Sequence, residues 1–170
     1  MPQTRSTLTR HSPPSMTTGI GITALFLTGI TMMALVADRQ SMQEIVGQLA
    51  TEGGRHELAL EVAQTSRQRR KGLMERPSLP VNTGMLFTYD EQQPAQSSFW
   101  MYQTRFPIDI AFLDQRGEIL SVETMPPCTR QREDCPRYSA GVPFWMALEL
   151  NAGALDAMGV SVGDRLEVDL

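Results

Sequence analysis

Two carboxylates stand out because each occurs inside an apolar stretch. Asp109 shares one face of a predicted strand with Ala111 and Leu113, and Glu149 lies between two leucines. Two carboxyl groups that converge can divide acid and base roles, as they do in glycoside hydrolysis. The pair therefore gives one functional hypothesis, a carboxylate-dependent hydrolase of the glycan type. The alternative for Glu149 is exposure on an edge strand.

An acid in apolar surroundings must be paired, hydrogen-bonded or protonated. Arg76 and Arg105 are the expected partners of Asp109, and a structural salt bridge or a backbone-bound acid is the alternative to an active-site acid. Aromatic rings beside arginine and amide side chains often hold sugars or peptides. A ligand-binding pocket is therefore expected from Arg76, Trp100, Gln103 and Asp109.

Other site chemistries find little support in the residue pattern. His56 is the one histidine between residues 55 and 170, and no Gly-x-Ser-x-Gly elbow occurs. No close His and Cys spacing suggests a zinc site, and we expect no cofactor. A copper(I) site is conceivable, although core packing explains the same methionines. The methionines in question are Met74, Met85, Met101, Met125 and Met146.

The charge distribution argues against nucleic acid as a partner. Residues 55–170 hold 12 basic and 16 acidic side chains, so this part of the chain has no overall basic surface. Four of the five residues at 67–71 are Arg or Lys. This run predicts either a solvated helix face or a contact with phosphate or an anionic glycan.

The N-terminal region predicts export. No charged residue occurs at 19–37, a stretch nearly long enough to cross a bilayer, and Arg5 and Arg10 precede it. By the positive-inside rule the N-terminus stays in the cytoplasm and the remainder is exported. An uncleaved transmembrane anchor is favoured over a cleaved signal peptide, and a buried core helix is the third alternative.

The two cysteines agree with export. Cys128 and Cys135 lie close together in a polar loop, and outside the cytosol such a pair is expected to form a disulfide. A redox site is the alternative, although its usual Cys-x-x-Cys spacing is absent.

Hydrophobic periodicity divides the rest of the chain. The boundaries are a cytoplasmic tail at 1–18, the hydrophobic segment at 19–37, a linker at 38–54 and a globular domain at 55–170. Within the linker, Met42, Ile45, Val46 and Leu49 have helical spacing, which predicts a short amphipathic helix.

The domain itself has mainly period-two patterning. Strands are predicted near 58–62, 84–89, 98–103, 108–113, 118–125, 143–150 and 166–170, with a hairpin turn at 114–117. Thr65 and Gln68 form a possible capping box for a helix that Gly72 ends, and 152–158 predicts a second helix. The expected fold is mainly β, a compact β-barrel or sandwich with two short helices.

Several short motifs resemble those of domain of unknown function family 192. They occur in family order between Leu58 and Val168: GLMER at 72–76, GMLF at 84–87, FWM at 99–101, PIDIAF at 107–112, LEL at 148–150, then Gly153 and Gly163-Asp164. The resemblance implies a small, mainly β fold, frequent export behind an apolar segment, and no established activity. Residues 102–104 depart from the Lys-Asn-Thr that family members often carry, and the cysteine loop resembles that of exported members.

These observations favour a membrane-anchored, exported binding or accessory module without enzymatic activity. The hydrolase and a scaffold subunit of a membrane complex are the alternatives. The expected partners are the membrane, through residues 19–37, and a small molecule, glycan or protein. The expected location is a bacterial-type inner membrane with the domain in the periplasm or outside, or secretion if the N-terminal segment is cleaved.

Overall fold

The computed structural model describes residues 42–170. The predicted tail at 1–18, the hydrophobic segment at 19–37 and the first four residues of the predicted linker lie outside the described residues. From residue 42 onward, no helix combines the length and the apolar character needed to span a bilayer.

Nine strands account for most of the described chain. They are β1 (Gln43–Thr51), β2 (Gly54–Ala63), β3 (Thr83–Gln93), β4 (Ser98–Trp100), β5 (Ile108–Leu113), β6 (Ile119–Met125), β7 (Arg137–Ser139), β8 (Phe144–Asn151) and β9 (Arg165–Glu167). Seven form one sheet in the order β6-β5-β8-β3-β2-β1-β9, in which only the β2–β3 pair is parallel. The short strands β4 and β7 form a separate antiparallel pair.

The large sheet curls until its two edges meet at one end. Arg165 in edge strand β9 forms a bridge with Glu118, which immediately precedes the other edge strand, β6. The backbone N–H of Leu166 also donates to the carbonyl of Gly117 at 2.9 Å. The result is a half-barrel, so the prediction of a mainly β domain is confirmed. A sandwich is not found, because seven of the nine described strands belong to one sheet.

The prediction of a helix in the linker is wrong, because residues 43–51 form strand β1. β1 pairs along its whole length with β2, and the two-residue turn between Thr51 and Gly54 closes the hairpin. Ile45 and Leu49 are four residues apart, a spacing that places them on one face of either a helix or a strand. Gly53 lies in the hairpin turn and Gly54 begins β2, so the sheet begins inside the predicted linker.

Both predicted helices are present, and local signals set their ends. Helix α1 (Ser66–Lys71) begins at the Thr65–Gln68 capping box and ends at Gly72, whose φ is 45°. Helix α2 (Ala154–Ala157) is shorter than predicted. The predicted β5–β6 hairpin is also confirmed, and Gly117 in its turn has a φ of 83°.

The central strands of the sheet are buried on both faces, which gives the domain two apolar layers. The inner layer lies inside the curl and includes Leu49, Leu58, Leu60, Leu86, Ala111, Leu113, Leu148, Leu150 and Leu166. The outer layer includes Leu73, Met85, Phe87, Met101, Ile110, Phe112, Phe144 and Ala147. The chain on either side of α1 and the β4–β7 pair contribute residues that cover the outer layer.

Strand β4 is fixed to the outer layer by aromatic contacts. The ring centroid of Phe99 lies 5.1 Å from that of Phe87 and 5.6 Å from that of Phe112, in edge-to-face arrangements that favour the contact. A disulfide joins Cys128 to Cys135 in the loop that leads to β7.

Closure of the curl should be sensitive to substitution of Gly117. A Cβ atom at this position would lie 2.0 Å from the carbonyl oxygen of Leu166. We expect Gly117→Ala to lower the free energy of unfolding by about 3 kcal/mol, from backbone strain together with the steric clash. Urea denaturation of the full chain in detergent measures the change.

Gly141→Ala is the matched control. Gly141 has a similar φ of 70°, but nothing lies within 4 Å of a Cβ placed there. This variant should lose about 1 kcal/mol from backbone strain alone. Equal losses in the two variants would show that contact between the sheet edges contributes little to stability.

Candidate functional site

Asp109 is held inside the half-barrel by two hydrogen bonds. Its side chain is buried, and its carboxylate accepts hydrogen bonds from the Thr124 hydroxyl at 2.7 Å and from the Leu155 backbone N–H at 3.2 Å. Thr124 is the cross-strand neighbour on β6, and Leu155 lies in α2. These donors replace water, so Asp109 fastens α2 to the sheet.

The expected pairing of Asp109 with Arg76 or Arg105 is wrong. Arg76 forms a bidentate ion pair with Glu61, in which Nη2 and Oε2 are 2.7 Å apart. Glu61 is opposite Met85 on the outer face of the sheet, whereas Asp109 points inward. Hydrogen bonding to Arg76 lowers the pKa of Glu61 below its usual value, and the same bond raises the pKa of Arg76.

The structure does not bring Asp109 and Glu149 together. Asp109 is opposite Leu150 and Ile110 is opposite Glu149 in the β5–β8 register. Since Leu150 belongs to the inner layer and Ile110 to the outer layer, the two carboxyl groups point to opposite faces of the sheet. They cannot share one substrate, and the catalytic pair expected from the sequence is not formed.

The four residues expected to build one ligand pocket are also dispersed. Asp109 lines an inner cavity of about 280 Å³, to which Arg76, Trp100 and Gln103 do not contribute. Gln103 is exposed with a φ of 58°, and its carbonyl accepts a hydrogen bond from the Glu75 N–H at 2.8 Å. Trp100 lines a different cavity, on the outer face.

Glu149 lies at that outer cavity, which holds about 30 Å³. The residue is 5% exposed and makes no side-chain hydrogen bond to any residue in the described part of the chain. No fully enclosed side-chain nitrogen or oxygen there lacks a partner, so the Glu149 carboxyl group reaches the cavity surface. Its strand neighbours across the sheet are Met85 and Ile110. Burial disfavours the charged form and raises the pKa of Glu149 to about 8.

Three cations from α1 line the same cavity. Arg69 donates to the carbonyl of Thr88 at 2.7 Å and lies 4.6 Å above the ring of Tyr89. Arg70 is exposed at the edge of the cavity, and Lys71 forms an ion pair with Glu75. The basic run is therefore part of a site, a position that the sequence did not reveal. The basic run lies immediately before Gly72, where a family motif begins, and this was the sequence feature that could have indicated its position.

Trp100 joins this cavity to two further cations, one on the disulfide loop and one on β7. The guanidinium carbon of Arg132 lies 4.8 Å from the Trp100 ring centroid, and that of Arg137 lies 5.0 Å away. The Tyr102 ring lies 5.6 Å from that of Trp100. We call the surface formed by these four residues and residues 69–71 the cationic cleft.

A protein-family comparison identifies the relatives of this domain. Residues 48–168 match the family described as DUF192, an uncharacterized ACR. The chain belongs to domain of unknown function family 192. The family has no established activity, so membership fixes the fold and leaves the function to be argued from the site.

Two solved structures share the fold of this family 192 domain. A candidate transcription regulator from Sinorhizobium meliloti 1021 is 33% identical with a TM-score of 0.67, over 75% of this chain and 95% of that one. A protein of unknown function from Novosphingobium aromaticivorans DSM 12444 is 28% identical with a TM-score of 0.66, over 76% and 89% of the two chains. No curated protein matches the chain.

Four methionines of the family 192 domain belong to its apolar layers. Met85, Met101 and Met125 lie in the outer layer, and Met146 lies in the inner layer. Within residues 42–170, no group of three His, Cys, Asp or Glu side chains is placed to hold a metal ion. Core packing therefore accounts for these four methionines.

Removing the Asp109 carboxylate should weaken the fold. Asp109→Ala leaves the buried Leu155 N–H without its acceptor and removes the bond to Thr124, which solvent can replace, and we expect a loss of about 2 kcal/mol in unfolding free energy. Asp109→Asn keeps one carbonyl oxygen and should lose less. Glu123→Gln, a change on the exposed side of β6, is the control and should stay within about 0.5 kcal/mol of wild type in urea denaturation. A fully stable Asp109→Ala variant would contradict the structural role.

Proposed function

We propose that this family 192 domain is an exported, membrane-tethered binding module that takes a small anionic ligand in the cationic cleft. The supporting observation is the arrangement of the cleft itself. Cations from α1, from the disulfide loop and from β7 lie around Trp100, beside a cavity that Glu149 lines.

The electrostatics of the cleft favour an anion. Arg70, Arg132 and Arg137 take part in no ion pair among the described residues. A group of like charges with little compensation raises the local concentration of counter-ions. Trp100 adds a flat apolar surface, which favours a ligand with a planar or apolar portion next to its charge.

Export is supported by two features of the chain. The charge-free stretch at 19–37 follows a short segment with two arginines and no acid, and the disulfide closes the loop that carries Arg132. Disulfides persist in oxidising compartments outside the cytosol. We therefore propose that the domain lies in the periplasm or outside the cell, held by an uncleaved anchor.

Two other functions have less support. Hydrolysis by Asp109 and Glu149 requires a shared cleft, and these acids point to opposite faces of the sheet. A scaffold subunit requires a large apolar patch. The large apolar side chains that are exposed in the described region are dispersed along the chain: Val46, Val81, Val122, Val142, Val162 and Leu170.

Export is tested with a C-terminal alkaline phosphatase fusion, which is active only outside the cytosol. The full chain should give an active fusion, and Leu27→Arg with Ile30→Arg should abolish activity because two charges in the apolar stretch oppose insertion. Thr28→Ser is the control and should remain active. An inactive wild-type fusion with the protein free in the cytosol would refute the proposed location.

Ligand binding is tested by calorimetry on the full chain in detergent, with benzoate as the planar anion and benzyl alcohol as its neutral counterpart. Benzoate should bind and benzyl alcohol should not. Arg70→Gln should weaken benzoate binding about fivefold, corresponding to the loss of roughly 1 kcal/mol of charge interaction.

Arg116→Gln is the matched control, because Arg116 lies in the β5–β6 turn and lines a different cavity. It should bind benzoate as wild type does. Equal weakening by both substitutions would point to non-specific attraction, and tighter binding of duplex DNA than of benzoate would contradict a small-molecule site.

A further inference from the structure

Glu149 and Thr104 are two buried polar side chains that make no side-chain hydrogen bond in the described region, and both line the outer cavity. Asp109, with a similar burial, has two hydrogen-bond donors. No fully enclosed side-chain nitrogen or oxygen in this region lacks a partner, so the carboxyl oxygens of Glu149 must reach the surface of the cavity. Buried polar groups in native proteins are nearly always hydrogen-bonded, and this carboxyl group is therefore available to water or to a ligand that enters the cavity.

The position of Glu149 directs its side chain toward the cavity. Alternation along β8 places it on the outer face with Ala147, above cross-strand neighbours that are apolar. The cavity of about 30 Å³ has room for one water-sized group. A ligand can therefore reach Glu149 with a single atom or a small terminal group, while the rest remains outside in the cleft.

The charges of the side chains around the cavity determine which charge the terminal group of the ligand can carry. Helix α1 contributes Arg69, Arg70 and Lys71, and β3 contributes Phe87. Tyr89 of β3 lies beneath Arg69 without lining the cavity, and its pKa is raised to about 12 mainly by burial. The β4 segment contributes apolar and neutral side chains. Glu75 compensates Lys71, whereas Arg69 and Arg70 have no ion-pair partner among the described residues. The net charge of this group is therefore positive, and a cationic ligand is disfavoured.

The protonation state of Glu149 determines whether its side chain can donate a hydrogen bond. A carboxyl group whose pKa is raised to about 8 is mostly neutral at pH 7, and a neutral carboxyl group can donate a hydrogen bond. Apolar sites in enzymes use protonated acids to donate to developing oxyanions in this way. The side chain is therefore a donor directed at the point where the three cations attract an anion.

We infer that Glu149 binds the ligand of the cationic cleft as a neutral hydrogen-bond donor, and that this ligand ends in an oxyanion, a carboxylate or phosphate group, with one oxygen inside the cavity. The inference rests on the proposed function and specifies the class of ligand. It also makes affinity depend on pH, because ionised Glu149 loses its proton and repels the oxyanion.

The test measures binding by calorimetry between about pH 6 and pH 9 with two probes. Benzoate represents a carboxylate and dimethyl phosphate represents a phosphodiester, and each keeps one negative charge throughout this range. For the wild type, the binding constant of the preferred probe should fall about tenfold between about pH 7 and pH 9, because the neutral fraction of a group titrating at about 8 falls by that factor.

Two variants separate the donor from the charge. Glu149→Gln keeps an N–H donor and cannot ionise, so its affinity should stay within about twofold of wild type at pH 7 and remain constant with pH. Glu149→Met has a similar size and no donor, and it should bind at least about tenfold more weakly at neutral pH. Glu123→Gln should reproduce the wild-type pH profile.

The outcomes distinguish the inference from the proposed function. If neither probe binds the wild type at any pH, both are wrong. If a probe binds and the pH profile is flat, or if Glu149→Gln shows the wild-type profile, the cleft binds anions but Glu149 is not the donor. Because glutamine removes a buried ionisable group without changing size, a folded Glu149→Gln variant is expected, and equal near-UV circular dichroism confirms it.

Discussion

Burial of both faces of the central strands β5 and β8 is the constraint on which the rest of this structure depends. All six residues of β5 are buried, as are the five residues of β8 from Met146 to Leu150. A strand covered on both sides has no face that turns toward water, so each carboxyl group it carries must be accommodated by protein atoms. Asp109 and Glu149 are the two acids that this arrangement encloses.

The domain accommodates these two acids in different ways. Asp109 receives one donor from the neighbouring strand and one from α2, and its charge thereby becomes part of the fold. Glu149 has no comparable donor among the described residues, and burial favours its neutral form. Its carboxyl oxygens reach the cavity, since no enclosed polar side-chain atom in the described region lacks a partner, and Glu149 is therefore the more informative of the two.

The elements that cover the outer face also build the cationic cleft. The capping box and Gly72 fix the ends of α1 and so place three consecutive cations beside Glu149. The disulfide constrains the loop that carries Arg132 against Trp100. The capping box and the disulfide therefore stabilise the fold locally and also hold the residues of the proposed ligand surface in place.

The sequence by itself determined the elements whose signals are local. The capping box at Thr65, the glycine at the end of α1 and the turn at Gly117 each act within a few residues, and all three were predicted correctly. The ordered family motifs fixed the fold class, whereas the spacing of Ile45 and Leu49 fitted a helix as well as the strand that forms. Only the tertiary structure decided which face of the sheet each acid occupies. The alternation of side chains shows which residues of one strand share a face, but it does not relate that face to the faces of the neighbouring strand. It also paired Arg76 with Glu61 and placed α1 over Glu149, because these contacts join residues far apart in the chain whose proximity depends on strand order and on the curl of the sheet.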